Sequence, residues 1–236
     1  MSVIGMGNAD TTTAPMALQV AVRVDRSDPP TADQAAVAAA TATIALLDDE
    51  RCLPDGPWHE ATERWNGARI RKIVRRARGA DWRRAQEVDG VTVEVDGVEA
   101  RAFVPCPIDQ VPRPVARLQI QASELEESKR IAALEPSSGQ PAVSLRVAVT
   151  PEVEMSWGKR AAQCAHATQR AWMTTSEQRR QAWTDAGRPI AIIHPDEALW
   201  QQLLEGADVE IRDGGFTEIP AGTRTTVAHW IDDKSG

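Results

Sequence analysis

Two alanine-rich segments constrain most strongly what this chain can fold into. "TADQAAVAAATATIALL" starts at Thr31 and "SWGKRAAQCAHATQRAW" starts at Ser156. Each comes after a run that alternates apolar and polar residues, "LQVAVRV" (Leu18–Val24) and "VSLRVAVT" (Val143–Thr150). Alternation of period two is the pattern of a half-buried strand, and alanine is the strongest intrinsic helix former. "DPPT" breaks the first strand and places Thr31 as an N-cap. The chain therefore begins a strand–helix unit twice.

After each start the elements keep the same order. The first helix is followed by a short helix at "HEATERW", a strand at "RIRKIVRR", a helix near "ADWRRAQ", and strands "VTVEV" and "EARAFVP" around a "DG" turn. "DQVPRPVARLQI" closes this half. The second helix is followed by a helix at "SEQRRQAW", a strand at "AGRPIAIIHP", an amphipathic helix at "DEALWQQLLEGA", and strands "VEIRDGG" and "GTRTTVAHWI". "RWNGARIRKIV" aligns with "AWTDAGRPIAII", and "GVTVEVDG" with "ADVEIRDGG". This alternation predicts an α/β protein of two similar three-layer α/β/α units, each with a four-stranded mixed sheet. The expected division is a disordered leader over 1–16, one α/β domain over 17–121, a charged and then Pro/Ser/Gly-rich linker over 122–141, and a second α/β domain over 142–236.

The 236 residues suffice for two small cores, and no apolar run reaches the length of a membrane span. Cys52, Cys106 and Cys164 are widely spaced and form neither a metal pattern nor a disulfide framework. That usage suits a reducing cytoplasm, and no metal and no cofactor are expected for the chain. The net charge of −7 argues against a protein that is basic throughout. It conceals one basic run, however. From Arg64 to Arg84 there are nine basic residues and one acid, Asp81. Arg69, Arg71, Lys72, Arg75 and Arg76 are its candidate polyanion contacts; a solvated strand edge or helix face explains the same run equally well.

Two polar clusters can carry chemistry. On the second alanine-rich helix, Lys159, Gln163 and His166 fall at i, i+4 and i+7, on one face. Gly158 fits a close approach of backbone to ligand at the helix start, where unpaired N–H groups favour an anion. The second cluster is "RDGGFTEIPAGTRTT" (Arg212–Thr226). There Asp213 ends a strand, two glycines follow it, and Thr217, Thr223 and Thr225 come after. Thr223 and Thr225, two apart in a strand, are expected on the same side of the sheet.

In order and spacing, "MSWGKRAAQCAHA" (Met155–Ala167) and "DGGFTEIPAGT" (Asp213–Thr223) resemble the two motifs of peptidyl-tRNA hydrolase of the archaeal and eukaryotic class. The resemblance covers the second half. It implies metal-free hydrolysis of the ester joining a peptide to the 3′ end of tRNA, with tRNA as partner and no membrane. It implicates Lys159, Asp213, Thr217 and Thr225 in catalysis, and Gly158, Gln163, His166 and Thr223 in lining or supporting the site. Asp213 would position or deprotonate the attacking water, and Lys159 would stabilise the oxyanion or a phosphate. Cys164 lies about 140° around the helix from Lys159 and is expected to pack. Family members form homodimers. The first half, with the same element order and neither motif, resembles a degenerate copy that would serve as a built-in partner, giving an intrachain pseudo-dimer or a homodimer. The second half departs from the family at Glu152, Glu154, Trp157, Arg160, Phe216, Glu218 and Ala221. An inactive tRNA- or protein-binding module of the same fold is the competing expectation.

Overall fold

The structure is a computed structural model describing residues 14–67, 70–120, 125–134, 142–215 and 217–232. In the first half, β1 (Met16–Arg23) runs into α1 (Ala32–Leu47), and α2 (His59–Asn66) leads to β2 (Lys72–Ala77). Then come α3 (Gly79–Ala85), the hairpin β3 (Gly90–Val95) and β4 (Val98–Phe103), the short β5 (Cys106–Pro107) and α4 (Arg113–Ala116). The second half contains β6 (Val143–Val149), α5 (Trp157–Thr174), α6 (Glu177–Asp185), β7 (Ile190–Ile193), α7 (Glu197–Glu205), β8 (Val209–Arg212) and β9 (Arg224–Asp232).

The two sheets have the same topology, β2-β1-β4-β3 and β7-β6-β9-β8. In each, the first pair is parallel through a helical crossover and the other neighbours are antiparallel. The first sheet carries one addition, β5 on β1, which the sequence did not predict. The correspondence extends to single bonds. Trp65 and Trp183 are both fully buried, and each indole N–H donates over 3.0 Å to a carbonyl six residues on, Arg71 and Pro189. Those same carbonyls accept the N–H of Leu18 and of Leu145. The register then pairs Leu18 with Lys72 and Leu145 with Ile190.

The Thr31 cap predicted from sequence forms, and Ser156 caps α5 in the same way. Thr31 makes a capping box with Gln34, and Ser156 accepts from the Lys159 N–H. What the sequence could not show is how the halves meet. α1 packs along α5, and one apolar core runs through both halves, from Leu18, Val20 and Val22 on β1 to Leu145 and Val147 on β6. Alanines on the facing helices, among them Ala35, Ala39, Ala161 and Ala167, are fully buried, and small side chains let two backbones lie close. The outer faces hold smaller clusters, around Trp82 under α3 and α4 and around Trp200 on α7. Polar links cross the same boundary: His194 Nε2 to Asp33 Oδ1 at 2.8 Å, and Arg188 to Asp48.

The expected linker is partly docked. Leu125 is buried, and Ile131 exchanges backbone bonds with His194 and Asp196. Residues 122–124 and 135–141 of that segment, and 1–13 of the expected leader, lie outside the described residues. Among the described residues no helix is long and apolar enough to cross a membrane.

Candidate active site

The site sits where the first turns of α5 meet the loop between β8 and β9. That loop is pinned at its neck: the Asp213 N–H donates to the Thr223 carbonyl, and the Gly222 N–H to the Asp213 carbonyl, both over 2.8 Å. Inside the neck the Gly215 N–H donates to Asp213 Oδ1 over 2.8 Å. Gly215 has φ +73, and a Cβ there would lie 2.7 Å from that of Ala221, so the turn requires glycine. The bend fixes the Asp213 carboxylate against α5.

Two side chains of α5 reach that carboxylate. Lys159 Nζ is hydrogen-bonded to Asp213 Oδ2 and donates to Thr217 Oγ1 over 3.0 Å. Gln163 Nε2 donates to the same Oδ2 over 2.7 Å. Thr225, fully buried, donates its hydroxyl to Gln163 Oε1 over 2.9 Å, which turns the amide so that its NH2 faces Asp213. The Lys159 and Asp213 side chains are only 12% and 5% exposed, so the pair is largely shielded from water.

The arrangement leaves chemical capacity free. A carboxylate offers about four acceptor positions, and the three donors found leave room for a water. An ammonium has three N–H groups, and Asp213 and Thr217 take two of Lys159's. The cleft beside them holds about 550 Å³. Lys159, Gln163, His166, Asp213 and Thr217 all line it. Burial, reinforced by the charges of Lys72, Arg170 and Lys159, holds the His166 imidazole well below its ordinary range, so it is neutral at pH 7.

Several sequence-level roles change here. Thr225, expected at the ester or the water, is instead buried with its hydroxyl donated to Gln163. Thr223 does not share its side of the sheet: β9 begins at Arg224, and the Thr223 hydroxyl closes the turn onto the Pro220 carbonyl over 2.8 Å. A register shift between Ile211 and Arg212 accompanies that start. The anion at the α5 N-terminus comes from the protein itself. Glu218 accepts from the Ser156 N–H over 3.0 Å and from its hydroxyl over 2.6 Å. Gly158 lies against the first half, where a Cβ would stand 3.4 Å from the Ile120 carbonyl and 3.6 Å from that of Val74.

The basic run is less available than the sequence suggested. Arg75 is buried, with Nε on Gln19 Oε1 at 2.8 Å and a terminal nitrogen on the Leu118 carbonyl at 3.0 Å, so it is no surface contact for RNA. Lys72 points across the boundary to Gln169 of α5. Arg71 lines the cleft, and Arg76 is partly buried, its backbone N–H donating to the Gln119 carbonyl. Arg69 and Phe216 lie outside the described residues. The first half also supplies a wall that sequence reasoning missed: Ile70, Ile73, Val74 and Ile120 face the site across the cleft. Cys164 packs as expected, and burial pushes its thiol up to about 12. Among the described residues no His/Cys/Asp/Glu group could hold a metal ion.

Among the described residues the first half carries no counterpart of this site. Counted from the caps Thr31 and Ser156, Gln34 and Ala38 occupy the places of Lys159 and Gln163. The two-residue turn Asp96–Gly97, with φ +48 and +80, replaces the long loop from Asp213 to Thr223.

An α/β unit with a lysine–carboxylate–amide cluster at a helix start, open to a cleft, defines the class. Residues 143–231 match the family model of peptidyl-tRNA hydrolase PTH2. Mouse (Mus musculus) "Peptidyl-tRNA hydrolase 2, mitochondrial" is 35% identical over 89 residues, covering 34% of this chain and 49% of that protein. The chain thus spans about half the length of that curated relative. Its second half is a PTH2 domain.

Proposed function

We propose that the protein hydrolyses the ester of peptidyl-tRNA, releasing peptide and free tRNA. The observation that carries this reading is the bonded set Lys159, Asp213, Gln163 and Thr217 at the mouth of an open cleft, within a PTH2 domain. Asp213 holds the attacking water, takes its proton as the C–O bond to water forms, and returns it to the tRNA 3′-oxygen as the ester C–O bond breaks; Gln163, held by Thr225, fixes the carboxylate. Lys159 offers its remaining N–H to the oxyanion that forms on the ester carbonyl. Thr217 holds the ammonium in place and can donate its own hydroxyl to the ester. His166, neutral, lines the binding surface. The first half is read as a degenerate duplicate, packed through α1 as an intrachain partner. The identical strand order and the Trp65/Trp183 anchors support that reading. A cytoplasmic site of action fits the free cysteines.

The test is release of an N-acetylated amino acid from N-acetyl-aminoacyl-tRNA by the full chain, with Lys159→Ala beside it. Turnover lost in the variant supports the reading. A folded wild type that releases nothing at enzyme-stoichiometric concentration overturns it. One observation favours a second reading, a tRNA- or protein-binding module without turnover: Glu218 occupies the α5 N-terminus with negative charge beside the site. Binding of tRNA without hydrolysis would select that reading.

A further inference from the structure

Lys72 has no role in the cluster described above, yet it lines the same cleft from the opposite half. Its ammonium is hydrogen-bonded to Gln169 Oε1 of α5, and Gln169, wholly buried, is itself held by Asn66 Oδ1 at 3.0 Å. The ammonium also stands 5.1 Å from the Trp65 ring centroid. Among the described residues no carboxylate pairs with it. A lysine enclosed by neutral groups is costly to keep charged, and burial pulls its pKa well below the ordinary range.

The fold does not require that charge. Lys72 pairs with Leu18 in the register that pairs Ile190 with Leu145, so the equivalent position of the other half is aliphatic. The lysine side chain enters the cleft that His166 also lines, close enough for its charge to act on that imidazole. A lysine with no carboxylate partner among the described residues, held by a neutral network and lining a cleft, is placed to take an anion from outside the chain.

We propose that Lys72, positioned by Gln169 and flanked by His166, is a phosphate subsite through which the first half holds the 3′-terminal nucleotides of the RNA substrate. This rests on the proposed hydrolase reading for the source of the phosphate. The ligand chemistry, a phosphodiester next to an apolar wall, comes from the cleft alone. Ile73 and Ile120, the latter 50% exposed, line the cleft and give apolar surface against which a base can pack. An anion at Lys72 would also restore the ammonium to its charged form, so binding and charging reinforce each other.

The experiment measures binding of the 5′-phosphorylated trinucleotide CCA, and of free adenosine, to the full chain by calorimetry at two salt concentrations. Wild type and Lys72→Met are compared, with Lys72→Ile as a second variant that copies Ile190 of the other half. The expected result is a loss of about tenfold or more in trinucleotide affinity, with the salt slope reduced by about 0.7 for one phosphate contact on a single strand. Adenosine affinity and thermal midpoint should hold or rise. Unchanged trinucleotide affinity in both variants overturns the subsite, as does a parallel loss of both affinities with a fall in midpoint, which marks a structural role. A wild type that does not bind the trinucleotide overturns it too. Hydrolysis is assayed separately: turnover with no Lys72-dependent binding sinks the subsite and leaves the hydrolase, whereas Lys72-dependent binding without turnover does the reverse.

Discussion

Asp213→Asn separates the chemistry of the site from its stability. The carboxylate accepts from Lys159, Gln163 and Gly215 at once. An asparagine oxygen can keep the Gly215 bond, but its NH2 group then faces two other donors. Lys159, 12% exposed in its side chain, loses its counter-charge and keeps only Thr217. Removing one partner of a buried pair costs about 3–5 kcal/mol, and the opening of Lys159 to the cleft lowers that to about 1–3 kcal/mol. For a chain of this size each kcal/mol shifts the midpoint by roughly 2–4 °C, so a fall of about 2–12 °C is expected in thermal unfolding followed by circular dichroism. Loss of a general base removes about 10²–10⁴ in rate, or about 2.7–5.5 kcal/mol in barrier. Initial rates on N-acetyl-aminoacyl-tRNA, taken well below the lowered midpoint, should therefore fall far beyond what unfolding explains. The double variant Lys159→Met/Asp213→Asn should be no slower than the slower single variant and more stable than Asp213→Asn, because the unpaired ammonium is gone. A folded Asp213→Asn protein that keeps its rate within about threefold would refute the assignment of the water-activating role.

Three further outcomes rest on the same geometry. With its thiol raised to about 12, Cys164 should stay unlabelled by a thiol reagent at pH 8 in the native protein while the more accessible Cys106 reacts; rapid modification of Cys164, read by peptide mass, contradicts its packing role. The folded-state pKa values of His166 and His229 are depressed, so stability is complete above the unfolded value of about 6.5 and falls as pH drops, by about 1.4 kcal/mol per pH unit for each histidine still neutral. Urea unfolding at successive pH values should show His166→Gln removing one histidine's share of that slope, and an identical slope would be decisive against it. Glu218→Gln retains an acceptor for the Ser156 hydroxyl but takes a negative charge from the rim of the cleft; tRNA should bind about two- to fivefold tighter at low salt, less so at high salt, and equal affinity at low salt speaks against electrostatic exclusion.

The parts of the site that lie close in sequence were legible there. Lys159, Gln163 and His166 share a helix face because helical spacing is a local rule, and all three line the cleft. Thr31 is readable as a cap for the same reason. Errors arose where a long-range contact overrode a local pattern. The charge pattern suggests a basic run open to solvent, but the first sheet is covered on both faces, which buries Arg75 against the Leu118 carbonyl just beyond α4 and aims Lys72 at a side chain 97 residues away. Thr223 and Thr225 were placed on one side because strand alternation assumes an unbroken ladder; the strand starts one residue later, beside a register shift. The packing of α1 on α5 is hard to read from sequence, since α1 is apolar nearly all round and the alanine face of α5 does not name its partner.

That helix pairing explains how one half can lack a site and still shape one. With α1 laid along α5, the edge strand β2 is carried to the first turn of α5, where the Val74 carbonyl approaches Gly158. The corresponding edge strand of the second half, β7, contributes no residue to the cleft. Equivalent elements thus stand in unequal surroundings. At β3–β4 the tight Asp96–Gly97 turn leaves no loop to carry an aspartate and threonine, while β2 has a lysine where β7 has Ile190. The short turn offers no such chemical groups in the first half, and Lys72 stands on the face that meets the second half's cluster. Both differences act in the same direction: two units of the same strand order share one cleft with its chemical groups on one side and an apolar wall with a lysine on the other. The division is testable by exchanging Lys72 and Ile190, because only the loss at position 72 should weaken RNA binding, whereas a lysine at 190 faces no such cleft.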